Sequence, residues 1–186
     1  MNAPVPAPVP ARLVVLRHAK SAWPQDVADH ERPLAPRGLR DAPVAGQWLQ
    51  RAGRVPDLVV CSPSRRTRET WDLVAPELDA TPPVVFEPEV YDASAEALLD
   101  VVRKTPEECR TLLLIGHLPG LQDLVLSLTR DAHGDTLTRA TTKFPTSAIA
   151  VLTLPGLWTS LAPNTTAFTH FTVPRGTKNG PQRGNR

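Results

Sequence analysis

Five short aliphatic runs, separated by longer segments of helical period, constrain this chain more than any other feature. They are Arg12 to Arg17, Asp57 to Cys61, Val84 to Phe86, Thr111 to Ile115 and Ala148 to Leu154, and Ala167 to Val173 continues the series as a sixth. Each has the length of a strand and falls far below the roughly 18 apolar residues needed to span a bilayer. Near-continuous hydrophobicity suits strands covered on both faces, and such strands alternating with helices build a mostly parallel sheet. The chain reads as α/β: a single three-layer domain with a mostly parallel central sheet flanked by helices. Its 186 residues leave room for one core and hardly a second.

The segments between the runs carry helix signals. Leu39, Ala42, Ala45, Trp48, Leu49 and Ala52 recur at helical spacing and stop at Gly53, a fitting C′ residue. Pro43 falls inside that pattern and must lie in a first turn or kink the helix. A second helix is expected from Arg65 to Ala75, ahead of Pro76, and a third from an N-cap at Ser94 to just before Pro106. A fourth should begin near Pro119, with Leu121, Leu124, Val125 and Leu128 on its buried face.

Proline supplies 21 of the 186 residues, about twice the usual ~5%, so the excess has to be located. Part of it sits in an N-terminal arm, Met1 to Pro10, where proline alternates with small apolar residues. Pro174 to Arg186 has no large apolar residue and carries Arg175, Lys178, Arg183 and Arg186 against no acid. Both ends are expected to be disordered, which leaves 11–173 as the domain.

A net charge of only +2 gives no global field to recruit nucleic acid or an anionic membrane, so neither is expected as a partner. Cys61 and Cys109 cannot form a disulfide framework or a multi-cysteine zinc site. The histidines at 18, 30, 117, 133 and 170 show no i,i+4 pair, so neither a metal nor a cofactor is expected. The N-terminus has no charged stretch leading into a continuous apolar one, and a cytoplasmic setting is the expectation.

In open α/β sheets, ligands bind beyond the carboxyl ends of the strands. Three such ends are polar here: Arg17-His18-Ala19-Lys20-Ser21, Ser62-Pro63-Ser64-Arg65-Arg66-Thr67 and Gly116-His117-Leu118-Pro119-Gly120. Two histidines and two or more arginines converging there, with no carboxylate among them, suit a small, highly charged anion, phosphate above all. A helix starting at Pro119 would add the positive end of its dipole. Singly, each residue has a plainer reading as a structural histidine or a solvated arginine; their coincidence at several buried strand ends argues for a site. Lys20 and Ser21 are further candidate donors. Arg32, Arg37 and Arg40 either guide a phosphoprotein or form a solvated basic face.

The RH pair of Arg17 and His18, the S-x-x-x-R-x-x-x-T segment of Ser62, Arg66 and Thr70, and the GH pair at His117 resemble the histidine phosphatase superfamily. LRHAKSAWP, ERPLAPRG, GHLPG and FPTSAIA look like its SixA-type branch of small phosphohistidine phosphatases, and the resemblance runs from about Arg12 to Leu154. It implies a phosphoglycerate-mutase-like fold without a large helical lid, for which Phe86 to Ser94 leaves no room. It also implies His18 as nucleophile, Arg17 and Arg66 as phosphate clamps, and His117 as the second histidine beside the transferring group. Two positions depart from the family pattern: Ala19 stands where Gly is usual, and Thr67 where Ala is usual. Asp92, in EVYDAS, is the nearest candidate for the carboxylic acid that ester-cleaving relatives place after the third strand; its other reading is a turn or cap residue.

The implied activity is that of a metal-independent phosphatase working through a covalent phosphohistidine, with phosphohistidine-bearing protein as substrate and inorganic phosphate as product. Small phosphomonoesters are the alternative substrates. A non-catalytic phosphate- or phosphoprotein-binding module on the same fold is the alternative from another class. Other chemistries fail on spacing. A cysteine phosphatase loop needs Cys-x5-Arg, and the position six beyond Cys61 is Thr67. Neither the nucleotide-binding glycine motifs nor G-x-S-x-G occurs.

Overall fold

The computed structural model describes residues 10–177. Seven strands, β1 (Arg12–Arg17), β2 (Leu58–Cys61), β3 (Val84–Phe86), β4 (Thr111–Gly116), β5 (Thr129–Ala132), β6 (Ile149–Thr153) and β7 (Thr166–Thr172), form one sheet in the order β3-β2-β4-β1-β6-β7-β5. Only β6 runs against its neighbours, β1 and β7; the other pairings are parallel. β1 and β4 lie at the centre, and every residue of β4 is buried, as the aliphatic run from Leu112 to Ile115 requires.

Five helices cover the two faces: α1 (Pro36–Arg51), α2 (Arg65–Val74), α3 (Ala95–Arg103), α4 (Gly120–Leu128) and α5 (Thr136–Thr142). Alternate side chains of each strand feed opposite layers. Leu13, Val15, Leu112 and Leu114 pack with Leu98 and Val102 of α3 and Leu121 and Leu124 of α4. Val14, Leu16, Leu113 and Ile115 pack with Ala45 and Leu49 of α1 and Trp71 and Val74 of α2. Each fully buried leucine contributes about 1.5–3 kcal/mol relative to exposure. Between β3 and α3 stands a single 3-10 turn, Pro88–Val90, so that connection carries no helical lid.

The sequence expectations differ from the structure at instructive places. α1 contains Pro43 in its interior and begins at Pro36, ahead of the periodic residues. Leu39, expected on its buried stripe, is half exposed; the buried stripe runs instead through Gly38, Asp41, Ala42, Ala45, Gly46 and Leu49. Small residues dominate it because the helix lies hard against neighbouring backbone: a Cβ at Gly38 would overlap the Lys20 carbonyl oxygen. β5 and α5 have no counterpart in the sequence reading. β5 is a four-residue edge strand with Arg130 and Asp131 exposed, and α5 (TLTRATT) is rich in threonine, a weak helix former.

The basic tail, expected to be disordered from Pro174 onward, is anchored as far as Gly176. Asp41 accepts hydrogen bonds from Arg175 Nη1 at 2.9 Å and from the Gly176 N–H at 3.0 Å. A carboxylate that is 1% exposed needs such partners, and they hold the chain beyond β7 against α1. Residues 1–9 of the expected arm and 178–186 of the tail lie outside the described residues. Among the described residues no helix is long and apolar enough to cross a membrane.

Candidate active site

The loops leaving β1, β2 and β4 meet at one end of the sheet, and β1 ends in Arg17 followed at once by His18. His18 is 7% exposed, and its Nδ1 lies 2.7 Å from the carbonyl oxygen of Ala19. A carbonyl only accepts, so Nδ1 carries the proton and Nε2 keeps a free lone pair. The Ala19 N–H donates to Thr70 Oγ1 at 3.0 Å, and the Thr70 hydroxyl donates to the Arg66 carbonyl at 2.6 Å. Thr70 therefore ties the loop carrying His18 to the helix carrying Arg66.

The FPTSAIA segment fixes the same loop from the other side. Arg17 Nη1 donates to the Phe144 carbonyl at 2.8 Å, and the Ser147 N–H is shared between the Arg17 and His18 carbonyls at 3.2 Å each. Ser147 adopts φ +63°, a left-handed conformation that costs a non-glycine residue about 1 kcal/mol or more. That strain sits directly beneath the histidine loop.

Arg17, His18, Ser21, Arg32, Arg66 and His117, with Lys20, Trp23, Leu118 and Thr146, line a cavity of about 160 Å³. Arg66 donates through Nη1 to the Asp29 carbonyl at 2.6 Å and through Nη2 to the Asp29 carboxylate at 3.0 Å. The same carboxylate accepts from Arg32 Nη1 at 2.8 Å and from the Tyr91 hydroxyl at 2.7 Å. The Tyr91 hydrogen bond, followed by Arg32 and Arg66, holds the Asp29 carboxyl well below the usual carboxylate range. Arg32 belongs to the pocket and not to a solvated face: it is 6% exposed, donates to Ser21 Oγ at 2.6 Å, and lies 3.2 Å from the centre of the Trp23 ring.

His117 follows β4, its Nε2 2.7 Å from Ser62 Oγ and its ring centre 5.3 Å from that of His18. Burial pushes the His18 imidazole down to about 3, helped by His117, Arg66 and Arg17. Burial also pushes His117 down to about 4, with Arg66 and Arg17 adding to it and Asp29 opposing. Both rings are thus neutral near pH 7, held beside three guanidinium groups. Cys61 behaves differently: burial raises its thiol to about 12, which removes it as a nucleophile.

Of the five residues singled out from the sequence, Arg17, His18, Arg66 and His117 share this cavity. Asp92 stands next door. It is exposed, lies in a turn at φ +53°, and lines an adjoining cavity of about 390 Å³ with Asp29, Arg66, Tyr91, His117 and Leu118. Ser21 and Lys20 also line the smaller cavity, whereas Arg37 donates to Thr146 Oγ1 at 3.2 Å and Arg65 pairs with Glu69 at 2.6 Å. The two departures from the family pattern are accommodated. Ala19 is fully buried against Leu34 and Ala42, and the buried Thr67 hydroxyl donates to the Ser62 carbonyl at 2.7 Å. Asp29 and Tyr91 escaped the sequence reading because no local spacing marks them; Arg32 was visible as part of ERPLAPRG but not as a pocket residue.

Two neutral imidazoles and three guanidinium groups thus line one anion-sized pocket at the carboxyl ends of a mostly parallel sheet, in a phosphoglycerate-mutase-like fold. A family model described as the histidine phosphatase superfamily (branch 1) matches residues 13–110, and the chain belongs to that superfamily. An uncharacterized protein of Mycobacterium tuberculosis is 39% identical over 162 residues, covering 86% of this chain and all of that protein. A Nakamurella multipartitia protein assigned by its name to the SixA phosphohistidine phosphatases superposes with a TM-score of 0.74 and 30% identity, covering 88% of this chain and 96% of that one. The protein histidine phosphatase SixA complexed with tungstate gives a TM-score of 0.71 at 25% identity, covering 88% and 97%. Phosphoglycerate mutase of Plasmodium falciparum, at 11% identity and a TM-score of 0.59 over 96% of this chain and all of that one, shares the fold alone.

Proposed function

We propose that the chain is a phosphatase that takes a phosphoryl group onto His18 Nε2 and passes it to water, with phosphohistidine-bearing protein as substrate. The observation that carries this reading is the hydrogen bond from His18 Nδ1 to the Ala19 carbonyl, which leaves Nε2 as a neutral nucleophile among guanidinium groups. In-line attack forms the Nε2–P bond as the bond to the leaving group breaks, so one difficult displacement becomes two easier ones. Charge developing on the equatorial oxygens faces Arg17, Arg66 and Arg32, already oriented by Phe144, Asp29 and Ser21. Water then adds to phosphorus, the P–N electron pair returns to Nε2, and dihydrogen phosphate leaves.

A protein-borne substrate fits a pocket that has no helical lid among the described residues and a 75% exposed tryptophan, Trp23, in its lining. Small phosphomonoesters are the second reading, favoured by Asp92, whose carboxylate borders the adjoining cavity as an acid would. Rapid mixing with labelled phosphoramidate and an alkaline quench, which preserves phosphohistidine, tests the chemistry. Label on His18 that is absent from His18→Ala is the expected result. Retention of ligand without covalent label would leave a binding module instead. Phosphohistidine protein should turn over faster than a sugar phosphate; equal or reversed rates would favour the ester reading.

A further inference from the structure

The turn 143–148, between α5 and β6, serves the phosphate pocket twice. Its Phe144 carbonyl accepts from Arg17 Nη1, and its Thr146 is part of the cavity wall. The left-handed Ser147 makes this turn strained, and a strained turn keeps its shape only where its surroundings over-determine it. One tie lies within the site: the Ser147 N–H bonds to the Arg17 and His18 carbonyls. Two more come from outside it. Arg37 Nη2 donates to Thr146 Oγ1 at 3.2 Å, and Arg175 Nη1 donates to the Thr146 carbonyl at 2.8 Å. The Arg37 bond is the weaker, being longer and made by a side chain that is 51% exposed.

Arg175 reaches the turn from the chain beyond β7, 29 residues further along the sequence. The same Nη1 also donates to Asp41 Oδ2 at 2.9 Å, so a single nitrogen joins α1 to the pocket wall. Its seat is close-fitting. The Gly176 N–H takes the other oxygen of Asp41, and a Cβ at Gly176 would meet the Arg40 carbonyl oxygen. Resting on His18 as phosphoryl acceptor, we propose that Arg175 is a positioning residue for the transfer. Through the Thr146 carbonyl it holds the turn in the shape that keeps the Phe144 carbonyl on Arg17, and so aims that guanidinium at the phosphoryl group. The strap 174–177 thereby belongs to the working site although it lines neither cavity there.

Misplacing an oriented group by an ångström costs up to about 10²-fold in rate, so Arg175→Ala should slow His18 labelling at saturating labelled phosphoramidate about tenfold. The half-saturating concentration should change less, because Arg17 faces charge that develops in the transfer itself. Gly176→Ala lifts the strap with the Arg175 side chain intact, should act in the same direction, and carries the test if Arg175→Ala does not fold. Ser147→Gly removes the steric cost of the left-handed turn, so in that background the Arg175→Ala effect should shrink. Glu107→Ala controls for stability alone. That carboxylate accepts from the Trp158 and Thr159 N–H groups ahead of β4, at the end of the sheet opposite the pocket, so its loss should ease urea unfolding and leave labelling at the native rate. The Arg175 side chain is 38% exposed, so methylguanidinium in solution should reach its seat and restore labelling by Arg175→Ala saturably. Native labelling rates in both strap variants, or an equal slowing in Glu107→Ala, would overturn the positioning role while leaving the His18 chemistry intact. Failure to label His18 in the unaltered protein would overturn the underlying function instead.

Discussion

Lowering the pH from 7 to 5 should destabilise the fold through His18, by an amount that follows from its burial. In the unfolded chain this imidazole titrates near 6.5, and in the folded protein at about 3. Between those values the unfolded state holds a proton that the folded state lacks, so stability falls as pH drops below 6.5, and the loss ceases near 3. Each pH unit in that window is worth about 1.4 kcal/mol, which makes the loss about 2 kcal/mol at pH 5. Against a total stability on the order of 5–15 kcal/mol this is readily measured. Urea unfolding in phosphate-free buffer at both pH values, for the native protein and His18→Gln, isolates the contribution because the variant cannot titrate there. The variant should lose about 2 kcal/mol less than the native protein on acidification. Equal losses would mean that His18 is not held neutral by its surroundings, and the account of its nucleophilicity would fall with it.

Four further outcomes follow from the same contacts. The rate of His18 labelling should stay level as pH falls through 6.5 and decline only near pH 4, because both pocket histidines are held neutral; a decline centred on 6.5 in a pH profile would contradict this. Arg66→Ala should slow labelling by about 10²–10³, as loss of one oriented donor to a transferring phosphoryl group does, measured by quench-flow. Thr70→Val leaves the Ala19 N–H without its acceptor, so the fold should lose about 1–3 kcal/mol in urea unfolding and His18 labelling should slow. Truncation after Val173 removes two donors from the buried Asp41 carboxylate, and denaturant unfolding should register a loss of about 1–3 kcal/mol.

The parts of the fold that are legible in the sequence are those where burial dictates residue type. β1 and β3 fall where their aliphatic runs do, and Gly53 ends α1 at φ +62°, the conformation for which glycine is suited. β5 and α5 are invisible because an exposed edge strand and a threonine-rich helix owe their conformation to β7 and α4, with which they pack, not to their own composition. Asp41 hides for a related reason. A carboxylate on a helix face reads as solvated until the chain returns from β7 and brings Arg175 to it.

The site divides along the same line. Strand-end position singled out Arg17, His18 and His117, which directly follow or close apolar runs, whereas Arg66, inside α2, was set apart from its arginine neighbours only by the spacing from Ser62 that the family resemblance implies. Charge state could not be read that way. A histidine in sequence is a group that titrates near 6.5; only its burial beside three guanidinium groups makes it a neutral nucleophile over the whole physiological range. Asp29 shows the converse. It lies 37 residues from Arg66 and 62 from Tyr91, yet it fixes both, together with Arg32. Without that carboxylate, Arg66 would keep only its bond to the Asp29 carbonyl and Arg32 its bonds to Ser21 and Ala22, and no anion would link the two guanidinium groups across the cavity before substrate arrives. Asp29 therefore does its work by remaining ionised, and any proton that an ester leaving group requires has to come from elsewhere.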